Sequence, residues 1–185
     1  PEKAHKLLLD TGIWTIFRNP HPSRRGLSMQ SATEHLPHPP ENEERLELDG
    51  TAWAIDNAWS TDPDDAISYD GTYLWVHIAD PASTVQPDSK IDITARNRGS
   101  TLYIPEGAAR MLSAESLEDY ALGLCEYKDG KPTGRKSKAL SFRLRLDENG
   151  AITDSAVIKT LVHVERLTYE QAEERRAPRG GCRVL

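Results

Sequence analysis

The sequence predicts an α+β fold built mainly on antiparallel strands, with helices packed against them. Three observations predict it. Two strand-like runs, Ala66–Tyr69 and Thr72–Asp80, flank Asp70-Gly71, a strong short-range hairpin signal. Residues Ala139–Leu146 alternate apolar and polar side chains before a turn at Asp147-Glu148-Asn149-Gly150. Helix signals are confined to short segments, so hairpins outnumber crossover helices.

The elements follow in chain order. Residues 2–17 read as a short amphipathic helix and an apolar segment, with Gly12 as the helix stop. Residues 18–45 carry Pro20, Pro22, Pro37, Pro39 and Pro40 and read as an extended linker. His35 and His38 belong to that linker. From Leu46 the period becomes strand-like, with a turn at Asp49-Gly50 and a buried strand over Ala52–Asp56. Residues 89–99 read as a helix capped by Ser89 and stopped by Gly99. Thr101–Ile104 is a short strand, and residues 113–122 a helix capped by Ser113. Ala151–Val164 supplies the strand returning from Gly150. A last helix starts at Leu167, with Thr168 and Gln171 as a capping box. Trp14, Trp53, Trp59 and Trp75 read as core or packing residues, and His77 as a satisfied core histidine.

The resulting organisation is an N-terminal arm over 1–45, a main body over 46–174 and a basic tail over 175–185. The formal net charge of -6 excludes a simple basic nucleic-acid coat protein, but not a nucleic-acid enzyme whose carboxylates hold metal. No apolar run is long enough to cross a membrane as a helix, so no membrane partner is expected. Cys125 and Cys182 cannot build a disulfide framework, and the cytoplasm is the expected compartment. Pro1 in place of Met suggests that sequence upstream is missing.

Chemistry concentrates in one window. Asp56 ends an apolar strand, and Asp62, Asp64 and Asp65 follow in the next loop around Pro63. Four like charges this close repel one another unless a proton or a cation intervenes. Oxygen-only donors favour Mg²⁺, Mn²⁺ or Ca²⁺ over Zn²⁺. Such a set suits metal-assisted phosphodiester hydrolysis. A calcium EF-hand loop counted from Asp62 needs glycine where Ile67 stands. An aspartyl-phosphate phosphatase needs its first aspartate directly after the strand, whereas five residues separate Asp62 from Asp56.

Ala54-Ile55-Asp56 followed by Thr61-Asp62-Pro63-Asp64-Asp65-Ala66 resembles the signature of the ribonuclease II (RNB) family of 3′-to-5′ exoribonucleases. Val76-His77-Ile78-Ala79-Asp80, Leu102-Tyr103-Ile104-Pro105, Met111-Leu112, Ala139-Leu140-Ser141 and Leu167-Thr168-Tyr169-Glu170 continue it in order, over roughly residues 50–174. Two local departures stand out. Ser113 replaces the proline usual after Met-Leu, and Leu122-Gly123-Leu124 stands for the usual Cys-Ser-Leu. The family's catalytic core also continues further, so the chain is expected to be its first half.

The resemblance implies hydrolysis of single-stranded RNA from the 3′ end, releasing nucleoside 5′-monophosphates. Asp56, Asp62, Asp64 and Asp65 would hold Mg²⁺, with Mn²⁺ as the alternative, and Asp62 and Asp64 would be catalytic. Tyr103 would stack on a base near the 3′ end, and Arg96 and Arg98 would reach RNA phosphates. The implied partners are single-stranded RNA, the remainder of the catalytic domain and an S1-type RNA-binding domain. The alternative is an inactive RNA-binding or regulatory fragment of the same fold.

Overall fold

A computed structural model describes residues 2–37, 43–105, 107–123, 127–128, 131–132 and 136–175. In chain order its elements are α1 (Glu2–Asp10), α2 (His21–Arg24), β1 (Leu46–Asp56), β2 (Asp65–Tyr69), β3 (Leu74–Ala79), α3 (Lys90–Arg98), β4 (Leu102–Ile104), β5 (Gly107–Ala109), α4 (Leu117–Tyr120), β6 (Tyr127–Lys128), β7 (Lys131–Pro132), β8 (Ser137–Leu146), β9 (Ile152–Thr168) and α5 (Tyr169–Arg175). Cys125, Cys182, His38 and the tail beyond Arg175 lie outside the described residues.

The chain packs as two units, residues 1–36 with 86–115 and residues 37–85 with 116–185. In the first, the Ser89 hydroxyl accepts the Asp92 amide at the start of α3, and Gly99 ends that helix. The β4–β5 ribbon pairs Tyr103 with Ala108. The linker expectation for 18–45 holds in part, because His21–Arg24 winds into one helical turn.

The second unit is an α+β body. Among the described residues, β1, β2, β3, β8 and β9 form a closed barrel in that order. The neighbours are antiparallel except β1 and β9, whose parallel pairing from Leu46–Thr160 to Asp56–Thr168 closes the barrel. The turn expected at Asp49-Gly50 is absent. Gly50 instead takes φ +86 where the β1–β9 register shifts, so the chain bulges and the strand continues. The expected helix over 113–122 reduces to a 3-10 turn at Ala114–Ser116 and the short α4. At the start of α5 the capping box forms as expected: the Gln171 amide donates to Thr168 Oγ1 and the Thr168 amide to Gln171 Oε1.

So few strands enclose little space, and the interior is correspondingly small-residue. Ala52, Ala54, Ala66 and Ala139 line it with Val162 and Val164, and Leu122 fills it. The outer face carries larger apolar groups, with Ile67, Val76, Phe142 and Val157 in one register row.

One polar chain runs through the interior. His77 is 0% exposed and lies between Ser141 Oγ at 2.7 Å and Ser68 Oγ at 2.9 Å. The Thr160 hydroxyl donates to the Ala139 carbonyl, so Thr160 Oγ1 accepts from Ser141. Ser141 then accepts from His77 Nδ1–H, and in the neutral imidazole Nε2 accepts from Ser68. Burial favours that neutral form and lowers the His77 pKa from 6.5 to about 4. Because the folded value lies below the unfolded one, the unfolded chain takes up the proton first. The stabilisation is complete above about pH 6.5 and is lost as pH falls towards 4, by on the order of 3 kcal/mol. Urea unfolding across that window is expected to show this loss in the wild type and a weaker one in His77→Gln. Equal pH dependence in the two proteins would exclude His77 as its source.

Candidate active site

The barrel places the carboxylates at one end. Asp56 is the last residue of β1, Asp65 the first of β2, and Asp62 and Asp64 lie in the connection. That connection is held by backbone bonds at several points. Asn57 and Ser60 close a turn, with the Ser60 amide on the Asn57 carbonyl at 3.0 Å. The Ser60 carbonyl accepts from the guanidinium of Arg166 on β9. The Pro63 carbonyl accepts the Leu122 amide at 3.0 Å, and the Asp64 carbonyl accepts the Ala79 amide at 2.8 Å. Pro63 is buried.

Leu122 holds the loop by its amide while its side chain fills the barrel. Gly123 makes this approach possible. It takes φ +69, and a Cβ there would meet Arg166 Cγ at 3.1 Å and the Val164 carbonyl at 3.3 Å. Leu122-Gly123, where the sequence departs from Cys-Ser-Leu, is thus a close-packed support.

The Asp64 carboxyl titrates above its usual range. Partial desolvation raises it, followed by the charges of Asp62, Asp65 and Asp56. Asp64 therefore feels the other three aspartates. Asp56 Oδ1 accepts the Asn57 amide at 2.7 Å, and Asp62 Oδ1 the Thr61 hydroxyl at 3.1 Å. Among the described residues, no three acidic, histidine or cysteine side chains converge closely enough to hold an ion as they stand. Mg²⁺ typically uses one or two protein carboxylates and fills its other positions with water and phosphate oxygens. The all-oxygen donor set fits such an ion chemically.

The other expected site residues belong to the first unit. Tyr103 is 69% exposed on β4. Arg96 pairs with Asp88 at 2.5 Å and Asp92 at 3.1 Å, so a phosphate would compete with two carboxylates for it. Arg98 donates to the Gln30 carbonyl at 2.7 Å.

Sequence reasoning missed two supports of the loop, Arg166 and Leu122-Gly123. The expectation that Trp59 packs internally is overturned. It stands 77% exposed at the turn between Asp56 and Asp62. Its position inside the acidic window was the available signal.

Residues 45–178 match the RNB domain. This chain belongs to the RNB domain family. It is 30% identical over 189 residues to an uncharacterized ribonuclease of Synechocystis sp., covering 94% of this chain and 27% of that protein. It resembles Mycoplasma genitalium RNase R, solved with ribose-methylated single-stranded RNA, at a TM-score of 0.57 and 25% identity, covering 74% of this chain and 21% of that one. Yeast Ssd1, a pseudonuclease, shares the fold at a TM-score of 0.64 and 19% identity over 86% of this chain and 20% of its own. This RNB chain thus spans between 20% and 27% of the length of these three proteins. Among its described residues, no helix is long and apolar enough to cross a membrane.

Proposed function

We propose that this chain carries the carboxylate side of a site that hydrolyses single-stranded RNA from its 3′ end and releases nucleoside 5′-monophosphates. The observation that carries the reading is the placement of Asp56, Asp62, Asp64 and Asp65 on one strand end and the backbone-tethered loop after it, where desolvation and then the charges of Asp62, Asp65 and Asp56 raise the Asp64 carboxyl. Uncompensated charge of this kind suits a divalent cation and a phosphodiester. Asp56 and Asp65 would bind the cation, Mg²⁺ or Mn²⁺, with Asp62 and Asp64 completing the set. The bound cation would neutralise phosphate charge and acidify water. Asp64 would also orient the attacking water.

In this reading residues 46–174 contribute to the catalytic domain. The rest of that domain and an S1-type domain would enclose the RNA, Tyr103 would stack on a terminal base, and the enzyme would act in the cytoplasm. An inactive role for the same fold is disfavoured, because a pure binding module gains nothing from four mutually repelling aspartates. The test is the full-length protein on 3′-labelled single-stranded RNA. Labelled mononucleotide is expected with Mg²⁺ and none after chelation. Hydrolysis that survives chelation, or internal cleavage products, would overturn the reading.

A further inference from the structure

The turn between Asp56 and Asp62 has the sequence Asn57-Ala58-Trp59-Ser60 and is closed by the Ser60 amide on the Asn57 carbonyl at 3.0 Å. Trp59 occupies the third position. Turns usually favour Gly, Asn, Asp or Ser, because these supply the backbone angles or local side-chain hydrogen bonds that a turn uses, and tryptophan supplies neither. Trp59 is 77% exposed, so a large aromatic surface is left in solvent. The backbone beneath it is fixed on its other side as well, by the Arg166 guanidinium on the Ser60 carbonyl. The backbone of the turn is thus tethered, and Trp59 stands exposed in it, three residues from both Asp56 and Asp62.

We propose that Trp59 is a base-stacking contact for single-stranded RNA at the carboxylate loop, a reading that rests on the proposed ribonuclease function. The electrostatics favour an aromatic there. Asp56, Asp62, Asp64 and Asp65 repel phosphates, so affinity at this position is best supplied by an uncharged surface. Every base has a π-face, so stacking holds RNA without reading its sequence and suits an enzyme that meets each nucleotide in turn. The Arg166 guanidinium, which donates to the Ser60 carbonyl, also brings a positive charge beside the turn.

The experiment measures binding of fluorescein-labelled poly(A) and poly(U) oligomers to the full-length protein, in an Asp64→Asn background that suppresses turnover. Trp59→Ala is expected to raise Kd by roughly 5- to 100-fold for both sequences, with Trp59→Phe close to the parent. The dependence of Kd on salt is expected to be unchanged, since no phosphate contact is lost. The thermal midpoint is expected to stay put, because the indole packs against little; a drop matching the affinity loss would indicate a structural role and overturn the proposal. So would a Trp59→Ala protein with parental Kd. RNA binding with no Mg²⁺-dependent hydrolysis by the Asp64-containing enzyme would overturn the ribonuclease reading and leave the stacking measurement standing. A parent that binds no single-stranded RNA would overturn both.

Discussion

Asp64→Asn is expected to lower kcat by about 10³-fold or more while single-stranded RNA stays bound. Asparagine keeps the shape of the side chain and removes its charge. The loop does not depend on that charge for its position, because Asp64 is held through its carbonyl by the Ala79 amide and Pro63 through its carbonyl by the Leu122 amide. Asp62, Asp65 and Asp56 all raise the Asp64 carboxyl, so removing its charge relieves repulsion among the four. The variant is expected to melt at or slightly above the wild-type temperature. Phosphates meet one negative charge fewer, so affinity for RNA is expected to hold or rise. A contact used mainly in the transition state costs rate and spares affinity when lost. Single-turnover rates and equilibrium binding, measured side by side, check both halves. A variant that cuts at the wild-type rate would remove Asp64 from the chemistry. One that fails to bind RNA would assign it to recognition.

Much of this architecture was legible because its signals are local. The Asp70-Gly71 hairpin forms as read, since the Asp70 carboxylate accepts the Thr72 and Tyr73 amides and the Trp75 indole N–H. Ser89 and the Thr168–Gln171 box act within one helical turn of themselves. The acidic window was legible for the same reason, with all four aspartates inside one strand end and one loop.

What was not legible is long-range. The parallel β1–β9 pairing joins segments at opposite ends of the body, and alternating strands look alike in an open sheet and a closed barrel. Asp49-Gly50 predicts a turn because Asp-Gly usually is one, whereas the bulge found here uses the same positive φ. Arg166 lies 106 residues from Ser60, and nothing in its neighbours' spacing points there. The exposure of Trp59 runs against the usual packing of tryptophan, which is a statistical preference and not a rule for one position.

The largest stability effect is expected from Arg45→Ala. The Arg45 side chain is 1% exposed and links the segment before β1 to the residue after β3 and to β8. It reaches Asp80 at 2.6 Å and Glu43 at 2.8 Å, and it donates to the Ala139 carbonyl at 3.0 Å. Burial would raise the Glu43 carboxyl, but hydrogen bonds from Lys159 and Arg45 and their charges hold it down at about 2. Asp80 has 9% side-chain exposure, so losing the guanidinium leaves a carboxylate poorly hydrated and without this cation. Breaking a buried pair from one side typically costs about 3–5 kcal/mol. At this chain length that corresponds to a fall of roughly 10 °C in melting temperature. Arg45→Lys is expected to lie between, because one ammonium cannot reach both carboxylates and the carbonyl with the guanidinium's planar geometry. Adding Asp80→Asn to Arg45→Ala is expected to recover part of the loss, because the stranded charge is then gone. The effect also reaches the active end. Asp80 directly follows Ala79, whose amide holds the Asp64 carbonyl, so releasing Asp80 loosens the same backbone that positions the carboxylate loop. Well below its melting temperature, Arg45→Ala is therefore expected to show a reduced kcat as well as reduced stability. Wild-type melting would exclude the pair as a major support, and wild-type kcat with lowered melting would confine its role to the fold.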